Sequence, residues 1–571
     1  MLATHRRLLP FVLLFAVYCF SLPIPVMDID AGQYASLSME LLLRGDWLHF
    51  YDRGAPYLDK PPLLFWLNSL SYSVFGINSV SYRLPSLLLW CLGVWSVYQF
   101  AKRWYNPKTG YSAALIFASS QGAFLMVNDV RCDTLLTAMV AFSFWQVSII
   151  LHRIHEKVPF RKRLVPVFFA SLGLAAALLS KGPIGAFTPL VALAIYIVLN
   201  RQWVVLAQFD WLLLVFFVFL FLFPMFYGLY TQYDLHPELV VYGKKNVSGV
   251  WFFSWTQSFG RITGESVWTD NTGYFFFFHT ALWTFMPWGV TLYVAVYQRL
   301  RDLFFFLKES VSFQSASATT KLTVKPTYEW LSLGGFLLPF LAISFSHYKL
   351  PHYIYVTFPM ASVLVAVYYR KLLDENLPLF RIWTVFHLFI ALLLGISTVI
   401  LCEWAFPKWW AMLGAVLIFG GTIYAYYRTD DPMRKLRGVT IGGMLGLNFI
   451  LNVHLYPTLL EYQSSSEAGK YAFENRLSAH LWHDGSADAS LGFYAKQLVP
   501  VFNIELMAYA KPPFYLYASQ KTLETLYQRH HTNFTVLKTF DEYPVTHLNA
   551  AFLNVNTRDK TLEKRYLLRI K

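Results

Sequence analysis

Thirteen apolar runs constrain this chain more than any other feature. They fall near residues 8–26, 84–101, 111–128, 134–151, 164–180, 184–200, 211–230, 273–297, 329–345, 353–369, 383–403, 408–427 and 438–454. Several stand at the short end of what a helix needs to cross about 30 Å of hydrocarbon. At 56% hydrophobic and 14% charged residues, the composition excludes a string of soluble domains. Aromatics at 19% suit a bilayer protein with many interfacial rings. The predicted class is a polytopic α-helical membrane protein of about 13 spans.

The net charge of +14 would suit nucleic acid in a soluble protein. In a membrane protein the same excess reads as cytoplasmic loops facing anionic headgroups, so the expected partner is the bilayer and not nucleic acid. The four cysteines, Cys19, Cys91, Cys132 and Cys402, contain no CxxC pair and indicate neither a disulfide framework nor a zinc site.

His5, Arg6 and Arg7 lead into an apolar run ending L-P-I-P-V, without a small-residue cleavage site. The first run is therefore expected to be retained, with the N-terminus cytoplasmic. An odd number of spans puts the termini on opposite sides. Arg153, Lys157, Arg161, Lys162 and Arg163 crowd one loop, and Lys102, Arg103, Arg299, Arg301, Arg370, Lys371, Arg434 and Lys435 occupy others on the same side. That side is cytoplasmic by the positive-inside tendency. The stretch 27–64, the turn 128–133, the loops 231–272 and 344–351 and the C-terminal tail then face outward.

From about Tyr456 onward charge mixes with alternating apolar residues, as in F-Y-L-Y-A from Phe514 and N-F-T-V-L from Asn533. Two domains are expected: a membrane domain over 1–456 and a small outer α/β domain over 457–571. The stretch Ser310 to Thr320 reads as a flexible linker.

The outward face carries the candidate chemistry. Asp30 follows the first run, and Tyr34, Leu37, Leu41 and Leu42 recur behind it at helical spacing. This predicts an amphipathic helix along the membrane surface, with Asp30 placed to act as a base or merely to cap the helix. Lys60 precedes Pro61 and Pro62, which stiffen the backbone and present the ammonium from a fixed turn, suited to a phosphate or to ordinary snorkelling. Asp129, Arg131 and Asp133 alternate in sign at the outer end of the third run, as a ligand site or a self-neutralised group. Lys181 in K-G-P and Lys349 in H-Y-K-L-P-H add cations against the general bias, and cations so placed point to an anionic ligand. Asp59 and His236 could hold a divalent metal ion or be solvated loop residues; no cofactor is certain.

In order, D-x-x-x-Y-A, Y-x-D-K-P-P-L-x-x-W-L, R-L-P from Arg83, D-V-R-C-D-T-L-L, L-L-S-K-G-P and Y-K-L-P-H-Y-I resemble the bacterial, protein mannosyltransferase-related GT-C superfamily. The likeness is closest to the lipid A 4-amino-4-deoxy-L-arabinose transferase family and covers nearly the whole membrane part. The resemblance implies a catalytic aspartate at Asp30 and a second at Asp133. It places the donor phosphate on Lys60, with Arg131 and Lys349 assisting, and Tyr34, Tyr57 and Lys181 near the substrate. That family usually carries D-E where this chain has Asp30–Ala31, so Asp28 replaces the missing carboxylate only if the backbone allows.

The implied reaction moves a sugar from a polyprenyl phosphate to lipid A or a related glycolipid on the periplasmic side of the bacterial inner membrane, with inversion. Protein O-glycosylation from the same kind of donor is the alternative. A transporter of lipid-linked sugars fits less well, because no internal repeat or midplane charge cluster is visible.

Overall fold

The computed structural model describes residues 2–257, 260, 272–316, 328–503, 513–528 and 533–571. Each of the thirteen apolar runs falls on a helix or on a pair of helices. Among the described residues, eight helices are long and apolar enough to cross a membrane, or nine if the bent pair formed by α5 (Pro107–Ala118) and α6 (Gln121–Asp129) is one span. The chain is thus a multi-pass helical membrane protein. The remaining runs form shorter or interrupted helices. A proline stands inside α1 (Leu2–Cys19), inside α9 (Ile184–Asn200) and inside Leu331–Ser344, as one does inside three of the longer helices. Pro287 lies where the run 273–297 divides into Phe276–Thr284 and Gly289–Ala316.

The bundle is built around α7 (Cys132–His155), whose apolar stretch is 89% buried. Small residues let its neighbours come close. A Cβ on Gly93 of α4 (Ser79–Trp104) would lie 2.9 Å from the Ala138 Cα, and one on Gly173 of α8 (Phe160–Lys181) would lie 2.7 Å from the Ser143 Oγ. Close backbone approach of this kind is how helices associate where lipid is as apolar as the side chains. By contrast α10 (Phe209–Leu229) has only 22% of its apolar stretch buried, and its phenylalanines form the lipid-facing side.

The stretch 27–64 does not lie open on the membrane surface. Helix α2 (Asp30–Arg44) forms as the spacing predicts and ends at Gly45, whose φ of 71° and N–H bond to the Leu41 carbonyl close it. Yet residues on every side of it are buried, including Ser36, Ser38 and Glu40. It is enclosed by α3 (Leu63–Phe75) and by the short helix Ser490–Ala495 from the far end of the chain. The polar stripe that suggested a wetted face is paired internally in part: the Ser38 hydroxyl donates to the Tyr34 carbonyl and one Glu40 oxygen accepts from Arg44, while the other Glu40 oxygen is buried without a hydrogen-bond partner among the described residues. A hairpin of β1 (Tyr51–Asp52) and β2 (Ala55–Pro56) links α2 to the Pro61–Pro62 turn and α3.

The helix from Pro432 continues to Tyr462 and leads into the C-terminal unit. There β3 (Leu481–His483), β4 (Phe514–Ser519), β5 (Phe534–Glu542) and β6 (Glu563–Ile570) form one sheet in the order β3-β4-β6-β5. β3 runs parallel to β4, and the other pairings are antiparallel. The two alternating sequences become β4 and β5. Of the expected linker, residues 310–316 complete a helix, and 317–320 lie outside the described residues.

Candidate active site

Four elements converge where α6 ends. Asp129 is the last residue of α6, and Val130 follows in the left-handed region at φ 49°. Such a conformation in a β-branched residue costs on the order of 1–3 kcal/mol and persists only where the surroundings enforce it; Val130 is fully buried. The turn sets Asp129 beside Arg131, whose Nε donates to the Asp129 carboxylate at 2.5 Å. The other arm of the same guanidinium reaches Asp30, the first residue of α2. Arg131 therefore bridges two carboxylates from segments a hundred residues apart, and the Asp30 side chain remains 43% exposed.

Asp133 enters the first turn of α7, where the helix dipole favours a carboxylate. Lys181 closes α8 at the cationic end that a helix C-terminus prefers. The two meet at 2.6 Å, and the Lys181 ammonium also lies 3.8 Å from the centre of the Tyr353 ring. His352 stands 3.8 Å from the second Asp133 oxygen. This histidine ends the H-Y-K-L-P-H motif, in which the sequence points to Lys349 alone.

Lys60 leaves the proline turn as expected but bonds to its neighbour Asp59. Asp59 is therefore a partner of the candidate phosphate ligand and not a solvated loop residue. The Cys132 thiol lies within electrostatic reach of Lys60, Asp59, Asp133 and Lys181, so these four charges share one neighbourhood. The Tyr34 hydroxyl is likewise reached by Asp30 and Asp59; burial is the main cause that holds it well above the ordinary tyrosine value. Tyr34 and Tyr57 each meet the Phe65 ring edge-on at 5.9 Å. The buried Tyr57 hydroxyl finds no hydrogen-bond partner among the described residues. Lys349 is 4% exposed, and its described partners are the Thr272 carbonyl at 2.9 Å and the Tyr274 ring.

Asp28 is held by the C-terminal unit. It is buried and accepts hydrogen bonds from the Ser490 hydroxyl and, at 3.3 Å, from the Ser490 N–H. Among the described residues no group of three His, Cys, Asp or Glu side chains is arranged to hold a metal ion; His236 pairs with Glu238 on the surface. A cavity of about 580 Å³ in the C-terminal unit, lined by residues such as Phe473, Arg476 and Lys496, shares no residue with the charged cluster.

Residues 59–227 match the sequence family described as Dolichyl-phosphate-mannose-protein mannosyltransferase. Among solved structures, ArnT from Cupriavidus metallidurans bound to undecaprenyl phosphate superposes with a TM-score of 0.72 at 17% identity, over 99% of this chain and 98% of that one. The chain has the GT-C glycosyltransferase fold. The apo form of the same ArnT agrees, with a TM-score of 0.71 at 16% identity over 100% of this chain and 98% of that one. Curated relatives of this GT-C chain are named undecaprenyl phosphate-alpha-4-amino-4-deoxy-L-arabinose arabinosyl transferase. One from Aeromonas salmonicida is 26% identical over 33% of this chain and 35% of its own length. Another, from Pseudomonas fluorescens, is 24% identical over 81% of this chain and 75% of its own length. The first relatives are thus matched over about a third of their length, and the last over three quarters. The likeness to the GT-C superfamily, on the side of the lipid A aminoarabinose transferases, is borne out, and with it a multi-pass protein of the inner membrane.

Proposed function

We propose that this chain is a glycosyltransferase that moves a sugar from a polyprenyl phosphate to lipid A or a related glycolipid, with inversion, on the periplasmic side of the inner membrane. The observation that carries the reading is the bridge of Arg131 between Asp30 and Asp129, with Lys60 and Lys181 in the same charged neighbourhood. Asp30 is exposed enough to meet an acceptor, and its cationic neighbour is placed to meet a phosphate. In this reading Lys60 and Arg131, helped by Lys349, bind the donor phosphate and stabilise the charge that grows on it as the sugar leaves. A phosphate is a competent leaving group, so no general acid is required. Asp30 takes the proton of an alcohol acceptor. Toward a lipid A phosphate, largely ionised at neutral pH, it orients the acceptor instead. Asp133 fixes Lys181, and Tyr34 and Tyr57 shape the wall beside the reacting sugar. The proposed topology keeps thirteen crossings, a cytoplasmic N-terminus and a periplasmic domain from residue 457 onward.

The family match to protein mannosyltransferases favours one second reading, a polypeptide acceptor. The test is transfer by the full chain in lipid nanodiscs from undecaprenyl phosphate 4-amino-4-deoxy-L-arabinose, with lipid A and a serine- and threonine-rich peptide as acceptors. Mass spectrometry should show the added sugar on lipid A with the wild-type chain and none with Asp30→Asn. Sugar on the peptide alone would overturn the glycolipid reading. Equal transfer by the wild type and Asp30→Asn would overturn the role of Asp30.

A further inference from the structure

The segment that delivers Asp30 is gripped from outside the membrane bundle. The Asp28 N–H donates to the Gln463 Oε1 at 2.8 Å, and the Gln463 Nε2 donates to the Val26 carbonyl at 2.9 Å. One glutamine thereby brackets both edges of the Val26–Asp28 backbone. The Val26 N–H donates to the Tyr494 hydroxyl at 2.7 Å, and that oxygen also lies 2.9 Å from the Ser79 Oγ at the start of α4. Ser490 holds the Asp28 carboxylate through its hydroxyl and its N–H. The carboxylate folds back over the first turn of α2, where a Cβ on Gly32 would fall 1.8 Å from its Oδ1. From the opposite side Arg83, 2% exposed, donates to the carbonyls of Ile24 and Pro25 and, at 2.8 Å, to that of Asn128.

The same scaffold holds the other half of the site. The Asn128 Nδ2 donates to the Asn452 Oδ1 at 2.7 Å, and the Asn452 Nδ2 donates to the Val17 carbonyl at 3.0 Å. Asn128 immediately precedes Asp129. Asn452 and Gln463 lie on one continuous stretch, since the helix from Pro432 runs to Tyr462. The end of that helix therefore holds the Asp129 turn through Asn452, and one residue past it Gln463 holds the Asp30 loop.

We infer that the C-terminal unit positions Asp30 against Arg131, and that Asp28, clamped by Gln463 and Ser490, is the positioning residue through which it acts. The inference rests on the reading of Asp30 as the group that meets the acceptor. Its physical basis is that a misplacement of about 1 Å at a reacting group can cost about a hundredfold in rate, even when the perturbation lies outside the chemistry. Only Ile29 separates the clamped residue from the working one, so slack at Asp28 is passed almost undiminished to Asp30. It gives a role to the carboxylate that the family pattern left unexplained.

The test uses the full chain in nanodiscs with undecaprenyl phosphate 4-amino-4-deoxy-L-arabinose and lipid A, and adds amide hydrogen exchange of residues 24–34. Asp28→Ala should lower kcat at least tenfold with the donor KM within about twofold, and should speed exchange in that segment. Asp28→Asn keeps an oxygen for the Ser490 N–H and an amide for its hydroxyl, and should restore kcat to within about threefold of wild type. Should Asp28→Ala fail to fold, Gln463→Ala releases the same segment from the other bond and should give the same split. An unchanged kcat in a variant with faster exchange would overturn the positioning role, as would unchanged exchange. A wild-type chain that transfers nothing under these conditions would refute the reading of function, while the exchange comparison still decides whether the clamp exists.

Discussion

The pair formed by Lys181 and Asp133 offers the sharpest separation of stability from chemistry. The Lys181 side chain is 12% exposed, that of Asp133 is 4% exposed, and the ammonium and carboxylate meet at 2.6 Å. Removing one partner of a buried pair leaves a charge that neither water nor a counterion relieves, typically at a cost of 3–5 kcal/mol. For Lys181→Met we expect the low end, about 3 kcal/mol, because His352 at 3.8 Å offers partial relief. That corresponds to about a hundredfold fall in the folded-to-unfolded ratio. Replacing both members, Lys181→Met with Asp133→Asn, removes the orphan charge and should return stability to within about 1 kcal/mol of wild type. Transfer should stay lost in the double variant if Asp133 and Lys181 serve the reaction. Thermal unfolding of the full chain in detergent, followed by size-exclusion chromatography, reads the first quantity, and lipid A mass spectrometry reads the second. A single variant as stable as wild type, or a double variant less stable than the single, would refute the buried-pair reasoning.

Lys60→Ala should abolish use of the polyprenyl phosphate donor while leaving the chain folded, and unchanged donor saturation would remove Lys60 from the phosphate site. Gly32→Ala forces a methyl into the Asp28 carboxylate and should cost about 1–3 kcal/mol in stability, read by thermal unfolding. The interface around Asp28 should also respond to pH. Burial, as the main cause, raises the carboxyls of Asp28, Asp488 and Glu542 above the ordinary range, against the pull of Arg53 and Arg565 on Asp488. The folded chain thus binds more protons than the unfolded one. These groups stabilise it fully below the unfolded carboxylate value of about 4, and the contribution is lost as pH rises through the raised values. Asp28→Asn should therefore gain stability relative to wild type at pH 8 and gain none at pH 4, measured by unfolding at both.

Much of this was legible in the chain because bilayer helices leave a simple signature. The thirteen apolar runs all became helical, and two stretches of alternation became β4 and β5. Of the residues the motifs single out, Arg131 pairs with Asp30 and Asp129, Lys181 with Asp133, and Lys60 with Asp59. What the sequence could not convey depends on contacts between distant segments. The Arg131 bridge exists only because α2 and the α6–α7 turn approach each other, and Val130 enters the left-handed region against its own preference. Helix α2 carries a polar stripe that reads as a wetted face, but a unit more than four hundred residues downstream covers it. His352 ends the H-Y-K-L-P-H motif, and only the fold brings it toward Asp133.

The self-paired charges have a consequence for turnover. Lys60 already has Asp59, Arg131 has Asp30 and Asp129, and Lys181 has Asp133. In the proposed reaction an arriving lipid phosphate exchanges counterions and does not fill a bare cationic hole. Its binding free energy is then a difference between two ion pairings and not the sum of new ones. A spent polyprenyl phosphate keeps its charge after the sugar has gone, and unopposed lysines and arginines would retain it. In that proposed reaction the resident carboxylates would compete for the same cations and return to them, and the neutralised state of the site would let the used carrier leave.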